Sequence, residues 1–161
     1  MVIRDEVIGD FAGIRKVVEV VFARSLEAEL VDELRASGDS VISLVAVDDD
    51  KIVGHVMFSN MTAPFRALGL APVSVMPDRQ RSGIGSLLVR AGLERAELDG
   101  WEGVFVLGAP GYYQRFGFSV AGARGFTSRY GGAHFMLIRL NGGRVVSEGE
   151  VNYAPAFAAL G

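Results

Sequence analysis

The sequence predicts a mixed α/β domain, one mixed sheet with helices on both faces. Three observations carry that expectation. Short apolar runs are separated by single helical stretches without strict alternation, which argues against a regular doubly wound fold. Two apolar runs flank the polar turn "DDDK", Asp48 to Lys51, as an antiparallel hairpin requires. The chain has 161 residues, enough for one core and little more.

In order, "VIRDEV" reads as a first strand and "DFAGIRKVVEVVFA" as a helix. Phe11, Ile14, Val17, Val18 and Val21 recur there at helical spacing behind Asp10 as N-cap. A second helix, "SLEAELVDELRA", has Ser25 as cap, an inward stripe of Leu26, Leu30, Val31 and Leu34, and its end at Gly38. The hairpin "VISLVAV" and "IVGHVMFSNM" follows, then a buried strand in "LGLAPVSVM". A helix from about Gly83 to Asp99 is expected to turn Ile84, Leu87, Leu88, Ala91 and Leu98 inward. "GVFVLG" is a strand, "GYYQRF" a short aromatic helix or turn, "GFSVAG" a strand and "ARGFTSRYGGA" a loop. "HFMLIRL" is the last clear strand, and "VNYAPAFAAL" a short docking element.

Composition narrows the function. Sixteen basic against nineteen acidic residues give a net charge of −3, poorly suited to binding a polyphosphate backbone, so no nucleic-acid partner is expected. Apolar runs fall short of the roughly 20 residues that span a bilayer, and the N-terminus lacks a basic, then apolar leader. A soluble cytoplasmic protein with no membrane partner is the expectation. Cysteine is absent, which removes disulfides, thiolate metal sites and a cysteine nucleophile. His55 and His134 lie far apart, so no metal is expected.

The most informative stretch is "VSVMPDRQRSGIGSLLVRAGLERA", Val73 to Ala96, where an apolar strand turns through glycines into a helix. The first N–H groups of a helix have no partner within it and carry partial positive charge. Gly83 and Gly85 clear side chains from such a cradle, Ser82 and Ser86 offer hydroxyls, and Arg79 and Arg81 add cations. A tight turn without ligand explains the glycines alone equally well. A Walker loop would need a lysine, and a dinucleotide fingerprint would need glycine where Leu88 stands.

What remains is Gln-x-x-Gly-x-Gly after an apolar strand: Gln80, Gly83 and Gly85. This resembles the acetyl-CoA pyrophosphate loop of the GNAT superfamily of N-acetyltransferases. Downstream, "YYQRFGF", Tyr112 to Phe118, resembles its second signature, a tyrosine four residues before Gly-Phe. "VLGAPGYYQRFGF", with "GHVMFS" and "GEVNYAPAF", is similar to the YhbS-like branch, so the resemblance covers nearly everything from Ile52 onward.

The resemblance implies a single N-acetyltransferase domain over residues 1–161. Its sheet would be mostly antiparallel, splayed between the strands near 73–76 and 103–107. Acetyl-CoA would be the co-substrate: the backbone from Arg81 through Ser82, Gly83, Ile84 and Gly85 to Ser86 would hold the pyrophosphate behind Gln80. Backbone groups of Ser74 and Val75 would pair with the pantetheine arm, and an N–H near Val75 would polarise the thioester carbonyl. Tyr113 matches the general acid, a phenol that stays protonated at neutral pH and can protonate departing CoA sulfur. With no cysteine, direct transfer to a primary amine in a ternary complex is expected.

The base is open between His55, a water ordered by Ser74 and, less favoured, His134. Where the branch has Gly-Asp-Pro this chain has Gly108, Ala109 and Pro110, and Val106 stands where many members carry asparagine. Rival readings are a non-catalytic CoA-binding or regulatory module, and an acyltransferase with a longer acyl donor. The acceptor would be a small-molecule or peptide amine, bordered by "ARGFTSRYGGA" with Arg124 and Arg129. Members often dimerise, so a homodimer is among the expectations.

Overall fold

The computed structural model describes residues 1–142 and 146–160. Strands β1 (Val2–Asp5), β2 (Ser40–Asp48), β3 (Lys51–Thr62) and β4 (Ala67–Val75) form an antiparallel run. β5 (Gly103–Leu107) lies parallel to β4 and antiparallel to β7 (Phe135–Arg139), giving the sheet order β1-β2-β3-β4-β5-β7. The hairpin between β2 and β3 turns through Asp49 and Asp50, both at positive φ, a conformation that short polar side chains tolerate.

Helices α1 (Phe11–Phe22) and α2 (Leu26–Ala36) cover one face, where Ile14, Val18, Val31 and Leu34 pack against Val45 and Met57. Helix α3 (Ile84–Leu98) covers the other, over Val56, Phe58, Leu70 and Val104. A third cluster, Phe105, Phe126, Phe135 and Leu137, fills the sheet's far end. The mixed, mostly antiparallel sheet with helices on both faces is the architecture expected from sequence.

Several local expectations are corrected. α3 buries Ile84, Leu88, Val89, Leu93 and Ala96, while Leu87 and Leu98 are 48% and 77% exposed. The phase is set by Gly92: a Cβ there would lie 2.1 Å from the Phe58 ring, so the glycine admits a phenyl group that an apolar count scores as a gap. Asp10 does not cap α1; its carboxylate accepts two bonds from Arg4, at 2.7 and 3.1 Å, and one from the Val7 N–H. Ser25 makes no cap bond and instead donates to Glu29. "GFSVAG" is not a strand, because Ser119 Oγ accepts the Gly122 N–H and starts the short helix α5 (Val120–Ala123), which follows α4 (Pro110–Tyr113). "ARGFTSRYGGA" contains a two-residue strand, β6 (Phe126–Thr127), paired with β8 (Gly149–Glu150), and β9 (Asn152–Tyr153) joins the edge of β3.

The parallel ladder between β4 and β5 joins Ala67, Leu68 and Gly69 to Gly103, Val104 and Phe105, and no pairing to β5 follows it. Beside that limit, β4 carries one extra residue against β3 between Val73 and Leu70, around Pro72, which has no N–H to give a ladder.

Candidate active site

The chain leaves β4 at Val75 and enters α3 through a loop whose shape depends on two positive φ angles, 65° at Arg81 and 88° at Gly83. Gln80 anchors it by donating from Nε2 to the Val75 carbonyl at 3.0 Å, and Ser82 Oγ donates to the Arg79 carbonyl. Leu87 is the first N–H bonded back, to the Gly83 carbonyl. Among the described residues, the N–H groups from Arg81 to Ser86 have no acceptor, so an array of donors stands at the positive end of a 15-residue helix.

Those groups border a cleft of about 570 Å³ lined by Val73, Val75, Gln80, Arg81, Gly83, Ile84, Gly85, Ser86, Tyr112, Tyr113 and Arg115, with Val21 and Arg79 at its margins. Of the residues expected from sequence, Val75, Gln80, Arg81, Gly83, Ile84, Gly85, Ser86 and Tyr113 meet there; Ser74 and Ser82 do not line it. Arg79 is less available than expected, since its guanidinium is paired with Asp48. Arg81 is exposed and makes no ion pair among the described residues.

Sequence reasoning missed Tyr112 and Arg115 as cleft residues. A Cβ at Gly85 would come within 2.9 Å of the Tyr112 hydroxyl, so this phenol reaches the loop itself. Arg115 stacks on the Tyr112 ring at 4.6 Å and brings a second cation to the loop from thirty residues away. The spacing Tyr-x-x-Arg on one turn was the available signal. Tyr113 packs its ring on Gly108, where a Cβ would be 2.5 Å away, and edge-on against Tyr112 and Phe118. Burial, with a smaller contribution from Tyr112, pushes its phenol up to about 12, so it is a proton donor at any physiological pH. Phe116 and Phe118 are core residues, as expected.

The phase of the β3–β4 ladder corrects one role. Met76 N–H bonds the Val53 carbonyl, and the register pairs Gly54 with Val75, His55 with Ser74 and Val56 with Val73. Alternation then commits the Ser74 N–H and C=O to His55 and turns those of Val73 and Val75 toward β5. Backbone groups of Val73 and Val75, rather than Ser74, face the opening.

Ser74 and His55 project onto the α1/α2 face. His55 is fully buried; its Nε2 lies 2.8 Å from Ser43 Oγ, which donates to Glu6 Oε1 at 2.6 Å, and Glu6 is held by Arg35 at 2.9 and 3.0 Å. Burial, then the charge of Arg35, pushes the imidazole down to about 3, so it is neutral. His134 is exposed, with Nδ1 3.3 Å from the Gly108 carbonyl. Arg124 lines a separate cavity of about 600 Å³ with Phe126, Thr127, Ser128 and Phe135, while Arg129 stacks on Tyr130. No group of three His, Asp or Glu side chains among the described residues is placed to hold a metal, and none of the described helices is long and apolar enough to cross a membrane.

Comparison with known proteins fits this geometry. The model of the Acetyltransferase (GNAT) family matches residues 12–118, from α1 through the loop to the tyrosine turn. The uncharacterised N-acetyltransferase YjhQ of Escherichia coli (strain K12) is 38% identical over 130 residues, 75% of this chain and 71% of that protein. A crystal structure of the GNAT family N-acetyltransferase YhbS from Escherichia coli in complex with CoA superposes with a TM-score of 0.89 at 32% identity, covering 99% of this chain and 93% of that one. A GNAT family acetyltransferase from Brucella melitensis in complex with acetyl-CoA does so with a TM-score of 0.84 at 38% identity, covering 97% of each chain. A family match across both signatures, with relatives of this identity over most of the length, establishes that the chain belongs to the GNAT family of acetyltransferases and is an acyltransferase.

Proposed function

We propose that this enzyme uses acetyl-CoA and transfers the acetyl group directly to a primary amine within a ternary complex. The observation that carries the reading is the convergence, in one cleft, of the acceptorless N–H groups of Arg81 to Ser86 with the phenol of Tyr113. The donor fits the residues present: helix-end amides with Arg81 and Arg115 suit a pyrophosphate, and the close approach of Gly85 to Tyr112 requires a residue without Cβ. The end of the β4–β5 ladder at Gly69 supports a strand gap in which Val73 and Val75 offer backbone groups to the pantetheine arm. Bound acetyl-CoA supplies the activated acyl group. Loop amides hold the anion, Val73 and Val75 orient the thioester, and Tyr113 gives its proton to the departing sulfur.

The test is release of CoA thiol from acetyl-CoA across a panel of amines, followed with a thiol reagent; the protein has no cysteine to interfere. Amine-dependent release is expected, and Tyr113→Phe should lower kcat by about a hundredfold or more with little change in acetyl-CoA binding. Tight CoA binding with no release for any amine would instead identify a regulatory module, and unchanged kcat in Tyr113→Phe would remove Tyr113 from the acid role.

A further inference from the structure

We propose that Tyr153 is the acceptor-side phenol of the transfer site, its Oη accepting a hydrogen bond from the incoming amine where β4 and β5 part. The inference rests on the acetyl-transfer reading above and names the class of acceptor: a primary amine on a slender, unbranched carbon chain.

The C-terminal segment brings Tyr153 to the sheet. β9 pairs Tyr153 with Met61 at the edge of β3, and its ring packs 4.9 Å from Phe157, 5.5 Å edge-on from Tyr130 and 6.4 Å from Phe135. Leu68 and Leu70 of β4 turn to the α3 cluster, so Gly69 between them faces the other side, and there the Tyr153 ring lies on it. A Cβ at Gly69 would stand 2.6 and 2.8 Å from Cε1 and Cδ1 of that ring, too close for any other residue. Gly69 is also the last β4 residue paired with β5, opposite Phe105. The ring edge next to the hydroxyl-bearing carbon thus stands where the two strands separate.

Tyr153 Oη is buried and has no hydrogen-bond partner among the described residues. Buried phenols ordinarily find one, and leaving the group unpaired costs stability. An amine arriving at the gap supplies the partner. Burial first, then Tyr130 and Tyr113, push the Tyr153 phenol well above its usual range, so the two tyrosines of the site stand near enough to sense one another. Tyr153 therefore stays neutral, its lone pairs open to an N–H while Tyr113 turns its own proton to sulfur.

The way in is narrow. A cavity of about 120 Å³ opens beside the Tyr153 ring, lined also by Ser128, Tyr130, Asn152 and Phe157, and it shares no residue with the donor cleft. Donor and acceptor then enter from different sides, as a ternary complex needs. That volume is well below the roughly 300–1,000 Å³ of ordinary small-molecule pockets, so only a slender chain fits. No carboxylate is among its described lining residues, and the exposed guanidinium of Arg129, stacked on Tyr130 at 5.3 Å, disfavours an ammonium there. The neutral amine, the form that attacks, is the one admitted.

The experiment compares the parent with Tyr153→Phe, which removes the hydroxyl and keeps the ring. With n-butylamine and Nα-acetyllysine as acceptors, we expect KM for the amine to rise about five- to tenfold, with Kd for acetyl-CoA within about twofold. The urea midpoint should stay level or rise, because the hydroxyl lost is one that the fold leaves unpaired. A tyrosine serving the fold alone would show the reverse, a lower midpoint with unchanged kinetics. A kcat/KM for the amine within about twofold of the parent, or a lower midpoint, overturns the assignment, and the midpoint decides even without turnover. The parent should also prefer n-butylamine to tert-butylamine and cyclohexylamine by about tenfold or more, and equal rates overturn the acceptor class. A parent that binds acetyl-CoA yet is inactive toward every amine overturns the acetyl-transfer reading instead.

Discussion

His55 should make the fold sensitive to mild acid. Its imidazole is fully buried and pushed from the ordinary value of 6.5 down to about 3, whereas in the unfolded chain it titrates normally. Between those values the unfolded state binds a proton that the native state refuses. Stability should therefore be full above pH 6.5 and drain as pH falls toward 3, at up to about 1.4 kcal/mol per pH unit. By pH 4.5 the loss is about 2–3 kcal/mol, a sizeable part of the 5–15 kcal/mol typical of a domain. The carboxylates of Asp5, Asp10 and Glu27 are each held low first by hydrogen bonds from Arg95, Arg4 and Arg24 respectively. Their contribution is present above about pH 4 and is lost only as pH drops below that, so the window from 6.5 to 4.5 belongs to the histidine. Urea melts of the parent and of His55→Gln across that window check this: the parent should weaken on acidification and the variant should stay nearly level. A parent of constant stability from pH 7 to 4.5, or a variant that keeps the parent's slope, would refute the reasoning.

Gly85→Ala should weaken CoA binding by roughly 1–2 kcal/mol by calorimetry, since the new methyl meets the Tyr112 hydroxyl at 2.9 Å; Tyr112→Phe in the same background should recover most of it. Gly92→Ala should cost about 1–3 kcal/mol of stability in denaturant melts, because the added carbon lies 2.1 and 2.4 Å from Phe58 ring atoms, and Phe58→Leu should partly relieve it. With Tyr113 held up to about 12, kcat for an amine already neutral should show no alkaline decline before about pH 10; an earlier decline would place the acid elsewhere.

What was legible in the sequence was what is local. The turn at Asp49 and Asp50, the strand into α3, and the loop glycines are encoded within a dozen residues each, and a helix end creates its anion site without help from distant chain. The phase of α3 was not legible, because Gly92 is buried by Phe58, a residue on another element whose position only packing decides. The facing of Ser74 was not legible either. It depends on the ladder phase with β3 and on the extra residue near Pro72, and a slip of one residue inverts every side chain on a strand. Glu6, Ser43 and His55 are separated by 37 and 12 residues, so no spacing announces them. Arg115 reaches the loop only because the tyrosine turn folds back over α3.

The extra residue near Pro72 ties these pieces together. Beyond Gly69 the parallel ladder to β5 ends, and the shifted register against β3 then fixes which groups each β4 residue presents. Val73 and Val75 turn main-chain polar groups toward the cleft that holds Tyr113, while Ser74 between them turns its hydroxyl to the opposite face, beside His55. Adjacent residues of one strand thereby present different groups to its two sides, the main-chain polar groups of Val73 and Val75 to the cleft and the side chain of Ser74 to the face that holds His55, Ser43 and Glu6. Had the ladder run on from Leu70 without that shift, Val73 would stand opposite His55 and the backbone groups of Ser74 would face the opening. The single serine in that valine-rich stretch is thus the position where this strand turns a polar side chain to the face of His55, and its Oγ, like His55 Nδ1, is buried without a hydrogen-bond partner.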